Sequence, residues 1–257
     1  EQSLSLQVFY YVLVFLLKKK VDIATVNKAI DNDKNRLIEI YKDFHQNPEL
    51  GFSEVRTSKI VADNLKKLGY EVKTGIAKTG VVAIMKNGSG PIVMYRADMD
   101  ANAVKETTGL PYASKQIVKK EDGSETPVMH ACGHDEHTTW MLGVAKFMAE
   151  NKSLWKGTVI FVGQPAEELI LGAEAMVNDG MYTKHGVPEP DFLFGMHTAP
   201  IATGMVVAAN GVRMAGTDQF DILFHGVGGH GSTPNLTKDP IIMATNAITQ
   251  YQGIISR

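Results

Sequence analysis

From Asn35 to Leu68 the apolar positions fall at helical spacing. In NRLIEIYKDFHQNPEL (35–50), Leu37, Tyr41 and Phe44 share one face, and Pro48 predicts the stop. SEVRTSKIVADNLKKLG (53–69) puts Ile60, Val61, Leu65 and Leu68 on one face, with Ser53 placed to cap its start and Gly69 just past its end. The period then changes. GVVAIMKNGSGPIVMYRADMD (80–100) reads as two strands around an Asn-Gly turn. HTTWMLGVAKFMAEN (137–151) returns to helix, and GTVIFVGQPAEE (157–168) is a strand running into a loop. GAEAMVNDG (172–180) is a helix and DFLFGMH (191–197) an apolar strand. Strands that alternate with helices, several of them continuously apolar, predict a buried α/β sheet.

The style shifts near Met214. TDQFDILFHGVGGHGSTP (217–234) begins with strand-like alternation and ends rich in glycine. DPIIMATNAITQYQGIISR (239–257) then reads as an amphipathic helix with Pro240 at its start. Three regions are expected: an apolar N-terminal segment (1–26), a metal-binding catalytic domain (27–213) and the opening of a second domain (214–257). Within the first, LSLQVFYYVLVFLL (4–17) is short for a bilayer span, and its lysines follow the apolar run rather than precede it. A trimmed export signal and a membrane-surface anchor both stay open, and with them a cytoplasmic or an exported location.

Composition narrows the class. Net charge is −2, from 26 Lys+Arg against 28 Asp+Glu, and no basic run points to nucleic acid. One cysteine in 257 residues excludes an internal disulfide. That cysteine lies in MHACGHDEHTT (129–139), beside His130, His134, Asp135 and His137. A metal site, a cysteine nucleophile with a nearby base, a histidine face on a helix and chance are the four readings. Histidines 130, 134 and 137 have helical spacing, but Gly133 among them opposes a helix there, at about 1 kcal/mol relative to Ala.

Polar groups at strand ends weigh on that choice. PIVMYRADMD (91–100) ends its apolar run at Asp98 and Asp100, the next strand delivers Glu167 and Glu168, and the last delivers His197. In open α/β sheets the ligand crevice lies beyond the carboxyl ends of the strands. A thiolate with an imidazole suits a borderline-soft divalent metal, and adding Glu168 and His197 to Cys132 and His134 gives a mixed S/N/O set with room for more than one ion. Of two adjacent glutamates, one can bind metal while the other takes a proton from an activated water. The reaction class expected is metal-assisted hydrolysis.

Six stretches, in order, carry a family resemblance: HQNPELGFSE, YRADMDA, MHACGHDEHT, GQPAEE, GMH and GGHGSTP. Over residues 35–257 the chain resembles the aminoacylase and carboxypeptidase family of metallopeptidases, in its amidohydrolase branch. The resemblance implies a zinc-peptidase-like catalytic domain, with a mostly parallel sheet flanked by helices, and an incomplete α+β lid and dimerisation domain. It implies two divalent ions (Mn, Zn, Co or Ni), with Cys132, His134, Glu168 and His197 as ligands and Glu167 as general base. His230 matches the lid histidine that stabilises the tetrahedral intermediate, often across a homodimer. Asp98, Asp100 and Asp135 are expected behind the ligands, orienting them. His130 and His137 are expected as hydrogen-bonded walls of the site, and His45 as a support of the HQNPEL turn.

ANAVKE (101–106) departs from the family's usual ALPIQE, which bears on loop shape. In the family the catalytic domain resumes after the lid and supplies a last histidine; this chain is expected to end inside the lid. The substrate implied is a small N-acyl or N-aroyl amino acid or dipeptide. A cysteine hydrolase using Cys132 and a non-catalytic binding protein are the alternatives.

Overall fold

A computed structural model describes residues 23–119, 123–202, 204–208, 210–212, 214–216 and 220–255. The apolar segment 4–17 lies outside the described residues. Among those described, no helix is long and apolar enough to cross a membrane. The chain divides after Val207 into two units.

The first unit is built on a five-stranded sheet. Its strands are β1 (Glu71–Ile76), β2 (Gly80–Asn87), β3 (Ile92–Asp98), β6 (Gly157–Gln164) and β7 (Phe192–Gly195), in the order β1-β2-β6-β3-β7. A two-stranded ribbon, β4 (Ile117–Lys119) with β5 (Glu125–Pro127), stands apart. Helices α1 (Ile23–Gln46), α2 (Val55–Lys67) and α3 (His134–Glu150) cover one face, and α4 (Gly172–Asn178) lies on the other. Alternate residues of β2 feed the two cores: Val81, Ala83 and Met85 join the α1–α3 side, Val82 and Ile84 the α4 side. Burial on both faces explains the unbroken apolar run.

The sheet is mixed rather than mostly parallel: β6, β3 and β7 run parallel, while β1-β2 and β2-β6 are antiparallel. Nor is 80–100 a hairpin. Both strands form, but β6 lies between them, pairing Asn87 with Gly157 and Ile92 with Thr158. The Asn87 side-chain amide donates to the carbonyls of Lys152 and Trp155, both at 2.6 Å, tying the turn to the chain that enters β6. A local turn signal fixes where strands end, not which strand fills the space between them.

Helix starts differ in a similar way. Ser53 does not cap α2; Glu54 holds the N-cap position and makes no side-chain cap bond. The Glu49 carboxylate reaches over instead, accepting from the amides of Arg56 (2.9 Å) and Thr57 (2.7 Å). The C-terminus closes as expected, with the amides of Gly69 and Tyr70 on the carbonyls of Lys66 and Leu65. Gly133 does not exclude a helix; it is the residue just before α3, at φ 81°.

The second unit holds α5 (Pro240–Ile255), capped by Asp239, whose carboxylate accepts from the Ile241 amide at 2.8 Å. The strand expected ahead of the Gly-rich stretch is absent from the described residues 220–226. Val227 makes a lone bridge to Lys238. Alternating apolar residues form a strand only where a neighbour completes the ladder.

Candidate metal centre

The three parallel strands β6, β3 and β7 end side by side, so the groups just beyond them meet. Asp98 and Asp100 come from β3, Glu167 and Glu168 from β6, and His197 from β7. The first turn of α3 drops His134 and His137 onto this edge, with Cys132 in the bend before it.

Cys132, His134 and Glu168 bring donor atoms within 4.8 Å of one another, and Cys132 Sγ lies 3.4 Å from His197 Nε2. His134 is buried. Its Nδ1 donates to the Asp100 carbonyl at 2.9 Å, which leaves Nε2 facing inward. That nitrogen stands 3.6 Å from Glu168 Oε1, 3.7 Å from Glu167 Oε2 and 3.9 Å from Asp98 Oδ2. His134 Nε2, Glu168 Oε1 and Asp100 Oδ1 are buried without a hydrogen-bond partner among the described residues. Burial works against a charge on His134, yet the Asp100 hydrogen bond and the charges of Asp98, Asp100 and Glu167 outweigh it and raise its pKa. The cluster therefore draws positive charge to this point, and its donors fit a borderline-soft divalent cation.

Asp98, His134, His137 and His197 form a second cluster within 4.8 Å. His137, however, is fully engaged. Its Nδ1 donates to Asp98 at 2.6 Å and its Nε2 accepts the Thr198 amide at 2.9 Å. Burial depresses the His137 pKa against the pull of Asp98, in keeping with a neutral ring. Burial would raise Asp98, but the His137 hydrogen bond and the Arg96 guanidinium, 2.6 Å away, hold it well below the carboxylate range. Thr198 also bonds the Cys132 carbonyl through its hydroxyl at 3.0 Å. The strut Asp98–His137–Thr198 thus ends one residue from His197.

Asp100 accepts the Glu168 amide at 3.0 Å as well as serving His134. Asp135 faces elsewhere: its carboxylate holds His45 at 2.7 Å, and His45 also contacts Glu106 at 3.1 Å. His45 thereby ties α1 to α3 and the 101–115 loop, a larger task than supporting a turn. His130 is buried with neither ring nitrogen hydrogen-bonded among the described residues, and burial lowers its pKa to about 4. His230 lies in the second unit, exposed, with its Nδ1 accepting from the Ser232 amide at 3.2 Å. The same nitrogen lies 2.8 Å from the Ser232 hydroxyl.

Cys132 offers little as a nucleophile on its own. Burial, reinforced by Glu168 and Glu167, pushes its thiol up to about 12. A catalytic thiol needs the opposite surroundings. A cleft of about 700 Å³ opens beside Cys132 and His197, with Tyr41, Tyr112, Trp140 and Met196 on its walls.

The profile of peptidase family M20/M25/M40 matches residues 94–252, which hold every donor described above. The chain belongs to this family. It is 44% identical over 220 residues to a hippurate hydrolase of Campylobacter jejuni, covering 85% of this chain and 54% of that protein. An IAA-amino acid hydrolase of Arabidopsis thaliana is 39% identical over 222 residues, covering 86% of this chain and 48% of that protein. A Bacillus subtilis crystal structure, described as a dinuclear metal-binding peptidase of the M20 family, aligns with TM-score 0.57 at 37% identity. It covers 66% of this chain and 44% of that one. The chain spans about half the length of the curated relatives it matches. Membership in an M20 family supports the zinc-peptidase-like α/β reading of the first unit.

Glu54, Glu106 and the strut role of His137 were not legible as site features in the sequence. Each works through a partner 39 or more residues away. Glu54 closes the stretch HQNPELGFSE, one of the six that carry the family resemblance, and that was the signal available for it.

Proposed function

We propose that the protein is a metal-dependent amidohydrolase that cleaves N-acyl or N-aroyl amino acids or small dipeptides. The observation that carries this is the inward Nε2 of His134, facing carboxylate oxygens at 3.6–3.9 Å with no partner between them. Cys132, His134, Glu168 and His197 would hold the ions, and Asp100 would orient two of these ligands. A pair of bound divalent cations would polarise the substrate carbonyl and acidify the attacking water.

Glu167 is the proposed base. It takes one proton from the water as oxygen adds to the amide carbonyl, then gives that proton to the leaving nitrogen as the C–N bond breaks. The products are a carboxylic acid and an amino acid. Burial, with Asp98 and Glu168 in the same direction, raises the Glu167 pKa, which makes it a better proton acceptor than an ordinary carboxylate. His230 is proposed to stabilise the developing oxyanion by hydrogen bonding. The relatives named for hippurate and IAA-amino acids support an acylated amino acid as substrate, and the aromatic walls of the cleft suit an aryl group. A homodimer through the second unit belongs to the same reading; Ile241, Ile248 and Ile254 on α5 are exposed and available for it.

The test is a panel of N-benzoyl, N-acetyl and indole-acetyl amino acids, assayed on the intact protein with Mn²⁺. Glu167→Gln should keep metal affinity and lose about 10²–10⁴-fold in kcat. Substantial turnover in the metal-loaded variant would remove Glu167 as base. Hydrolysis that survives EDTA would return the reaction to Cys132.

A further inference from the structure

The segment Glu49–Glu54 forms a shelf beneath the loop that carries the glutamate pair. Leu50 bridges to Ala101, and the Ala101 amide donates to the Glu49 carbonyl at 2.8 Å, so the shelf is fixed to the end of β3. At Gly51 a Cβ would stand 3.1 Å from Ala166 Cα and 3.0 Å from Leu169 Cδ1, so the loop lies directly on its backbone. Glu54 ends the shelf. It is fully buried, accepting the Thr79 hydroxyl at 2.6 Å on one oxygen and the Ala166 amide at 2.8 Å on the other.

Ala166 has φ 48°, a backbone state that an alanine keeps only when its surroundings impose it. It immediately precedes Glu167. The turn it starts is closed by the Gly172 amide on the Ala166 carbonyl (3.1 Å) and the Ile170 amide on the Glu167 carbonyl (2.7 Å). Asp100 independently holds the amide of Glu168 at 3.0 Å. Two buried carboxylates therefore grip alternate amides, at residues 166 and 168, with Glu167 between them.

We infer that Glu54 is a positioning residue: by accepting the Ala166 amide it holds the left-handed turn that aims Glu167 at its work. The inference rests on Glu167 being the base. The task requires an acceptor oxygen and not a charge, and burial raises the Glu54 pKa in keeping with that. Misplacing a reacting group by about 1 Å can cost on the order of 10²-fold in rate.

The test compares Glu54→Gln, which keeps an acceptor, with Glu54→Met, which fills the space without one. In the intact, Mn²⁺-loaded protein, Glu54→Met should lower kcat about 10–100-fold, leaving KM and Mn²⁺ affinity within about threefold. Glu54→Gln should rescue kcat to within about threefold. Hydrogen exchange at the Ala166 amide should be slow in wild type and Gln, and fast in Met. Unchanged kcat in Glu54→Met with fast exchange would overturn the inference, as would equal losses in Met and Gln. Should Glu54→Met fail to fold, Glu54→Gln alone decides: a tenfold loss of kcat overturns the acceptor role. Fast exchange at Ala166 in wild type would also refute it, without touching Glu167. Turnover by Glu167→Gln would instead remove the base assignment and leave the exchange result standing.

Discussion

Cys132 holds its thiol among carboxylates, where an unaided thiolate is disfavoured and a cation would reverse the balance. Cys132→Ser should therefore weaken Mn²⁺ or Zn²⁺ binding at least tenfold, and bound metal should slow alkylation of the wild-type thiol. Alkylation at the same rate with and without metal would show that Cys132 is not a ligand. His45 makes a different kind of prediction. The Asp135 hydrogen bond raises its pKa to about 9, with burial opposing and Glu106 assisting. The folded protein thus binds this proton more tightly than the unfolded chain. The stabilisation is complete below the ordinary value of 6.5 and is lost as pH rises through about 9. His45→Gln should cost about 1.5–3 kcal/mol at the acid end, the scale of a hydrogen bond to a charged group. Urea midpoints should show the loss shrinking as pH is raised past 9. A loss independent of pH would mean that the ring is held by packing rather than by its charge.

Elements place the donors, and the join between Cys132 and α3 is the most constrained of them. Gly133 combines φ 81° with a Cβ position 2.6 Å from Thr198 Oγ1. Gly133→Ala should therefore destabilise by about 1–3 kcal/mol, from the left-handed backbone and the contact together. It should also weaken metal binding, because Thr198 adjoins His197 and is fastened to Cys132 and His137. A stability loss with unchanged metal affinity would show that the Thr198 fastening does not locate His197. The elements were mostly visible in the periodicity: α2, α3, β6 and β7 follow their apolar patterns. The exceptions were long-range. Ser53 is a good local cap, but Glu49 serves α2 because the chain folds back over its start.

At the scale of the whole molecule, ligands from β6, β7, α3 and the bend before it converge on one edge, so an ion bound there would crosslink them. Mn²⁺, Zn²⁺, Co²⁺ or Ni²⁺ should each raise Tm, and EDTA should reverse the rise. Metal at a hundred times its Kd contributes about 2.7 kcal/mol. A thermal midpoint indifferent to all four ions would refute the proposed centre.

The sequence by itself determined which side chains stand at the ends of which elements. Asp98, Glu167 and His197 each follow an apolar run, and that pattern depends only on a residue's place in its own strand. It also determined the donor types, and with them the affinity for a borderline-soft cation. Tertiary structure decided the rest. Strand order is one such matter: β6 enters between β2 and β3 and so sets Glu167 and Glu168 beside Asp98 and Asp100. The tasks of the polar groups are another. His134 and His137 lie three residues apart on one helix, yet one has a free inward nitrogen and the other has none. Their difference comes from the Thr198 amide and the Asp98 carboxylate, 61 and 39 residues from His137. A buried side chain's role is set by which groups satisfy its hydrogen bonds, and those groups reach it only when distant segments pack.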